Sequence, residues 1–312
     1  SFRTNLLINA SLIFIWYCFS TGLSLYNKWL FGKSQMDFSF PLFTSGLHML
    51  IQFILAGAIM LCLPGQRPRQ TPSIRDYFTK VLPCAVATGL DIGLSNLSLR
   101  NITLSFYTMC KSSSLAFVLL FAFMFGLETL RLSLIGIIAM ISVGVLLMAA
   151  SEVEFVMAGF VQVMLAAAMS GLRWSLTQIL LQDASIGINT PVASMFFLSP
   201  LMALCLFTGA VFSEDLHAIS DSSVFTSGAL ATQMSFIIFL GGVLATLMVT
   251  AEYQLISRTS VVTLSVAGIF KEVVTIILST VTFKDKLTPL NLVGLAITLL
   301  GIGIYKWIKL RK

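Results

Sequence analysis

Seven charged side chains fall inside or at the edges of long apolar runs: Lys28, Asp91, Lys111, Arg173, Glu252, Lys271 and Glu272. An unpaired charge at the centre of a bilayer costs at least ~2.5–3.5 kcal/mol, so each needs a partner, an aqueous cavity or a ligand. Lys111 and Lys271 stand too deep in their runs for their stems to reach the interface. Their contexts match: Thr103-Leu-Ser105 precedes Lys111 and Thr263-Leu-Ser265 precedes Lys271, all three positions at one offset. Two ammonium groups at equivalent depth are expected to converge on one central cavity, a site for a dianion such as a phosphate ester. With no anion present, two cations would leave such a cavity strained. The competing reading pairs the lysines with Asp91, Glu252 or Glu272 as structural salt bridges. Successive residues point about 100° apart on a helix, so Glu272 could serve a charge on another helix.

Other residues are weaker candidates. Tyr107 lies one turn before Lys111 on the same face, where it could hydrogen-bond the same ligand or simply pack. Arg173 and Lys28, read as lying near the ends of their spans, are binding residues or helix anchors, and Tyr253 completes the substrate-binding set. His48 on an apolar helix reads as a hydrogen-bonded core residue. Phe117, Phe121, Phe123 and Phe125 read as packing or lipid-facing. Two His and five Cys, dispersed through apolar runs, predict neither a metal site nor a disulfide framework, and no cofactor is expected. The sequence has no His-Glu-x-x-His, no second aspartate in a motif with Asp91 and no Ser/His pair at a useful spacing, which argues against an intramembrane enzyme. An accessory protein would have no need of costly buried lysines.

These residues must be carried by membrane helices. Of 312 residues, 57% are hydrophobic and only 10% charged, against about 25% charged in soluble domains. The basic excess of +6 is thin and spread out, which excludes nucleic-acid binding. A span needs roughly 20 apolar residues. Residues 4–27, 38–66, 132–151, 155–172, 184–213, 222–251 and 287–305 contain no Asp, Glu, Lys or Arg. Residues 81–99, 102–127 and 260–283 are long enough but interrupted by Asp91, by Lys111, and by Lys271 with Glu272. The expected fold is all-α and integral to the membrane, with ten transmembrane helices in one domain.

Ten spans put both termini on one side. Arg3, Arg67, Arg69, Arg75, Lys80, Arg131, Arg258 and the C-terminal Lys306, Lys309, Arg311 and Lys312 share it, while Lys33, Arg100, Lys284 and Lys286 fall opposite with the acidic Glu152, Glu154, Glu214, Asp215 and Asp221; the positive-inside bias makes the terminal side cytosolic. The N-terminal run shows no cleavable-signal pattern and is read as the first helix. Asn96-Leu-Ser98 and Asn101-Ile-Thr103 are sequons at a helix end, read as unglycosylated. The Thr-Leu-Ser…Lys recurrence, and Phe125 and Gly136 recurring as Phe283 and Gly294, predict two inverted five-helix repeats over residues 1–152 and 153–312. That is a transporter design, with the substrate near the midplane.

Tyr26-Asn27-Lys28-Trp29, Tyr107-Thr-Met-Cys-Lys111, Arg173-Trp174 with Gln178, and Gly268-Ile-Phe-Lys271-Glu272 with Phe283 resemble the triose-phosphate/nucleotide-sugar transporter family of the drug/metabolite transporter superfamily. The resemblance covers essentially the whole chain. Leu90-Asp91-Ile-Gly-Leu-Ser-Asn-Leu-Ser-Leu and the Lys111-Ser-Ser-Ser run are most similar to solute carrier family 35, subfamily C, the branch linked to GDP-fucose transport. The resemblance implies an antiporter of the endoplasmic reticulum or Golgi that exchanges a nucleotide sugar for a nucleoside monophosphate by alternating access. Its implied partners are an anionic, phosphate-containing small molecule and membrane lipid, with a homodimer left open. Two alternatives are a sugar-phosphate/phosphate exchanger and a proton-coupled metabolite exporter using Glu252 or Glu272. Plastid relatives use a helix-4 lysine and a helix-9 Lys-Arg pair; Lys111 and Lys271 match the lysines, but Glu272 stands where the arginine would be. GDP-mannose carriers have Gly-Ala-Leu-Asn-Lys on helix 9, where this chain has Ala267-Gly-Ile-Phe-Lys271. Their Phe-Tyr-Asn-Asn stretch aligns with Phe196-Phe197-Leu198-Ser199, which lacks its hydroxyl and amides.

Overall fold

In the computed structural model the described residues are 2–68, 70–126, 132–182, 186–188, 190–215, 228–258 and 261–310. A chain in lipid must satisfy its backbone N–H and C=O groups internally, and among the described residues each regular element is helical. The elements are α1 (Phe2–Phe31) and α2 (Pro41–Cys62), α3 (Ile74–Asn101) and α4 (Leu104–Met124), α5 (Leu132–Ala150), α6 (Met157–Gln182), α7 (Pro191–Ser213), α8 (Gly228–Arg258), α9 (Val261–Phe283) and α10 (Pro289–Leu310). Among the described residues, six segments are long and apolar enough to cross a membrane: Leu7–Phe31, Pro41–Cys62, Ile74–Asn101, Leu104–Met124, Pro191–Ser213 and Gly228–Leu255. Ile135–Ala150 and Pro289–Tyr305 are shorter apolar helices. This is a multi-pass membrane protein.

Local chemistry sets the helix ends. Proline opens α2 and α7, where its missing N–H costs nothing. The Thr103 hydroxyl accepts from the Phe106 N–H at 3.2 Å and starts α4; Thr190 does the same for Ala193 and α7. α4 is interrupted immediately after Lys111. The Ser112 and Ser113 hydroxyls turn back onto the carbonyls of Met109 and Cys110, each at 2.6 Å, and a new helical segment begins at Ser114. Such side-chain back-bonding bends helices. Here the bend falls beside the lysine.

The most extensive packing pairs are α3–α6, α2–α7, α5–α10, α4–α6, α1–α8, α2–α8, α3–α7 and α4–α9, followed by α4–α5, α1–α3, α2–α3 and α1–α9. Exchanging the first five helices for the last five returns most of these pairs, while the contacts of α3 with α1 and α2 have weaker counterparts. Small residues permit the tightest crossings. A Cβ on Gly294 would lie 2.6 Å from the Gly144 carbonyl, so α5 and α10 meet backbone to backbone. A Cβ on Gly171 of α6 would lie 2.6 Å from the Phe117 Cβ and 2.7 Å from the Val118 nitrogen of α4. Gly136, matched in sequence to Gly294, faces open space.

One end of the bundle is tied by polar contacts between turns. Asp285, in the turn after α9, accepts from the Ser105 N–H at 3.0 Å and from the Ser279 hydroxyl at 2.5 Å, linking that turn to the start of α4. Asn291 donates to the Met148 carbonyl and the Ser151 hydroxyl, both at 2.9 Å. Across the bundle, Glu214 accepts from the Leu42 and Phe43 N–H groups and caps α2 from the end of α7. Burial raises its carboxyl above the ordinary range.

Glu152 lies in the same corner, in the turn after α5. Burial first, then the neighbouring Asp285 and Glu154 carboxylates, push it from 4.5 up to about 7. Between those two pH values the folded chain holds a proton that the unfolded chain has released. The stability it contributes is complete below about 4.5, is lost as pH rises, and is gone above about 7. Thermal unfolding of Glu152→Gln across this window is therefore expected to fall less steeply with pH than that of the unsubstituted protein. Parallel curves would rule out the buried carboxyl as the source.

Candidate functional site

Asp91 of α3 stands at the centre of the intramembrane charges. Lys111 of α4 forms an ion pair with its Oδ1 and donates to the Ser95 hydroxyl at 3.0 Å. Ser95 in turn donates to Asp91 Oδ1 at 3.4 Å. Arg173 of α6 approaches Oδ2 through its Nε at 3.2 Å, without hydrogen-bond alignment at that nitrogen. Arg173 Nη1 also lies 4.0 Å from Glu252 Oε1 of α8, and that oxygen is buried with no hydrogen-bond partner among the described residues. The Tyr107 phenol sits beside Ser95 within reach of the charges of Asp91 and Arg173. The Tyr253 phenol is within reach of those of Arg173 and Glu252.

Lys271 of α9 closes the set. Its ammonium lies 4.9 Å over the Trp16 ring of α1, a cation–π contact that partly replaces lost hydration. The charges of Glu272, Glu252, Arg173 and Lys111 all act on it. α1, α3, α4, α6, α8 and α9 thus each bring one or more side chains to this network. The break in α4 after Lys111 and the approach of α6 at Gly171 set the depth at which Lys111 and Arg173 meet.

Of the residues singled out in the sequence, Lys111, Arg173 and Tyr107 gather around Asp91, Glu252 and Tyr253 adjoin Arg173, and Lys271 and Glu272 are coupled to the set by charge. Two expectations change. Arg173 is not an end anchor: α6 continues to Gln182, well past the apolar run that ended at Leu172, and the guanidinium is held inside the bundle. The picture of two lysines awaiting an anion also gives way, because Lys111 already has Asp91 and the network contains carboxylates as well as cations.

Lys28 lies elsewhere. Its ammonium donates to the Leu99 and Ile102 carbonyls at 3.0 and 2.6 Å, clasping the last turn of α1 to the carbonyl end of α3, where a cation is favoured. Asn27 donates to Asn96 at 3.0 Å, and Asn96 donates to Ser45 at 2.7 Å; this sequon asparagine is buried. His48 is buried beside Tyr26, with ring centroids 5.9 Å apart. Sequence reasoning gave no role to Trp16 or Ser95. An indole one helix away from a lysine leaves no local signal, and a serine four residues after Asp91 is legible only once α3 is known to face inward there.

Residues 7–306 match the Triose-phosphate Transporter family. An Arabidopsis thaliana protein named as a probable sugar phosphate/phosphate translocator is 44% identical over 96% of this chain and 73% of its own length. A Saccharomyces cerevisiae protein with the provisional name of a nucleotide-sugar transporter is 26% identical over 96% of this chain and 84% of its own length. A second Arabidopsis thaliana relative, also named as a probable sugar phosphate/phosphate translocator, is 28% identical over 96% of this chain and 86% of its own. A protein of known crystal structure, 16% identical, superposes with a TM-score of 0.56 over 99% of this chain and 98% of its own, a likeness of fold alone. The intramembrane cations, the helical bundle and this similarity along nearly the whole sequence converge on one conclusion: the chain is a membrane transporter that belongs to the triose-phosphate transporter family.

Proposed function

We propose that this protein is a secondary antiporter that exchanges a sugar phosphate for inorganic phosphate by alternating access, with the phosphate group held between Lys111, Arg173 and Lys271. The observation that carries the reading is the gathering of Lys111 and Arg173 on one buried carboxylate, with Lys271 coupled to both. Glu272 in place of a second helix-9 cation argued against such an exchanger. Arg173 answers that objection, since it brings a guanidinium to the site from α6, and guanidinium suits phosphate better than ammonium does. The 44%-identical relative's name supports the same substrate class.

The architecture we propose with it has ten spans in two inverted halves, residues 1–152 and 153–312. Its support is the approximate exchange symmetry of the larger helix pairings and the Thr-Leu-Ser…Lys recurrence. The basic bias toward the terminal side supports cytosolic termini. A nucleotide-sugar antiporter of the endoplasmic reticulum or Golgi is the second reading, favoured by the yeast relative's name and by the Asp91 and Lys111-Ser-Ser-Ser motifs. A panel of solutes trapped in proteoliposomes separates the two, with uptake of labelled phosphate as the readout. Trapped sugar phosphates are expected to accelerate uptake more than nucleoside monophosphates or nucleotide sugars do. The opposite order would favour the second reading.

A further inference from the structure

Asp91 engages two of the cations to which the proposed function assigns the phosphate. Lys111 addresses one of its carboxylate oxygens and Arg173 the other, which is how two cations would share the oxygens of a phosphate. The Asp91 side chain is 8% exposed, whereas those of Lys111 and Arg173 retain 20% and 22%. The carboxylate is thus the most deeply buried member of the trio. We infer that Asp91 is a resident counter-anion, displaced from Lys111 and Arg173 by the substrate's phosphate, and that this competition makes the site select dianions over monoanions. The inference rests on the phosphate-exchange reading above and adds to it the residue that sets charge selectivity.

Charge balance carries the argument. Lys111, Arg173 and Lys271 face Asp91, Glu252 and Glu272, so the network is formally neutral without substrate. A monoanion that displaced Asp91 would replace one negative charge with another and gain nothing from the exchange. A phosphate dianion brings twice the charge and more acceptor oxygens, so it can draw both cations away. Two features suit Asp91 to release them. The Arg173 Nε contact is not aligned as a hydrogen bond, and the Ser95 hydroxyl that donates to Asp91 remains beside it when the cations leave. While Asp91 holds the cations, the affinity measured for phosphate is lowered by the small fraction of carriers in which they are free.

Asp91→Asn and Asp91→Ser test this in the full chain, purified in phosphate buffer and then dialysed. Binding is followed by thermal unfolding against inorganic phosphate, with acetate as the monoanion probe. Both variants are expected to bind phosphate about tenfold more tightly than the unsubstituted protein. Both should be less stable than it without phosphate and recover as phosphate saturates. Acetate is expected to leave the unsubstituted protein's stability unchanged and to stabilise both variants. Unchanged or weaker phosphate affinity, equal destabilisation with and without phosphate, or failure to recover either variant even in phosphate would make Asp91 a structural residue and overturn the inference. If the unsubstituted protein binds neither inorganic phosphate nor a hexose phosphate, the phosphate-exchange reading itself fails. Normal binding there without tightening in the variants rejects only the role given to Asp91.

Discussion

Lys111→Ala and Lys271→Ala are each expected to slow phosphate exchange in proteoliposomes by roughly a hundredfold or more, the scale set by removing one partner of a buried, hydrogen-bonded charge pair. The two should act differently on the resting protein. Without Lys111, Asp91 retains only Arg173 and Ser95 as partners among the described residues, so the variant loses stability as well as transport. Without Lys271, a cation–π contact with Trp16 is lost, while the ion pairs around Asp91 stay intact. In both variants the network carries an extra net negative charge that repels the incoming phosphate. Lys→Arg at either position should restore only part of the rate, because the planar guanidinium is larger and differently hydrated. Near-normal exchange by either alanine variant would remove that lysine from the site.

Gly171→Ala should have the second large effect, although it touches no charge. The new methyl group would lie within 2.7 Å of the α4 backbone at Phe117 and Val118, and neither backbone can yield without moving its helix. Overpacking of this kind costs roughly 3 kcal/mol, to be read as lowered stability in detergent. The same shift carries Arg173, two residues along α6, away from Asp91, so exchange should fall out of proportion to the amount of folded protein. Gly136→Ala is the comparison: with nothing within 4 Å of the added carbon, it should leave stability and exchange near those of the unsubstituted protein. Equal behaviour of the two substitutions would mean that the α4–α6 contact does not position the arginine.

Much of this arrangement was legible in the sequence, and the reasons are physical. Charges are so costly in lipid that Asp91, Lys111, Arg173, Glu252 and Lys271 stood out against apolar runs, and the apolar runs themselves located the helices. Helix limits were less legible. The run ending at Leu172 stopped at the first charge, whereas α6 continues because Arg173 has partners inside the bundle. Partner choice was not legible at all, since Asp91 could be matched with either lysine until α3, α4 and α6 were placed together. The contact of Trp16 with Lys271 joins residues far apart in the chain, and the bend after Lys111 depends on which way two serine hydroxyls turn.

The central claim is that one phosphate-binding site is passed between the two sides of the membrane, loaded in both directions. Counterflow measures this directly: initial uptake of labelled phosphate into proteoliposomes preloaded with unlabelled phosphate or a sugar phosphate, against the same vesicles empty. The account predicts uptake several-fold faster into the preloaded vesicles, and loss of that difference in Lys111→Ala. Equal uptake into empty and preloaded vesicles would contradict it.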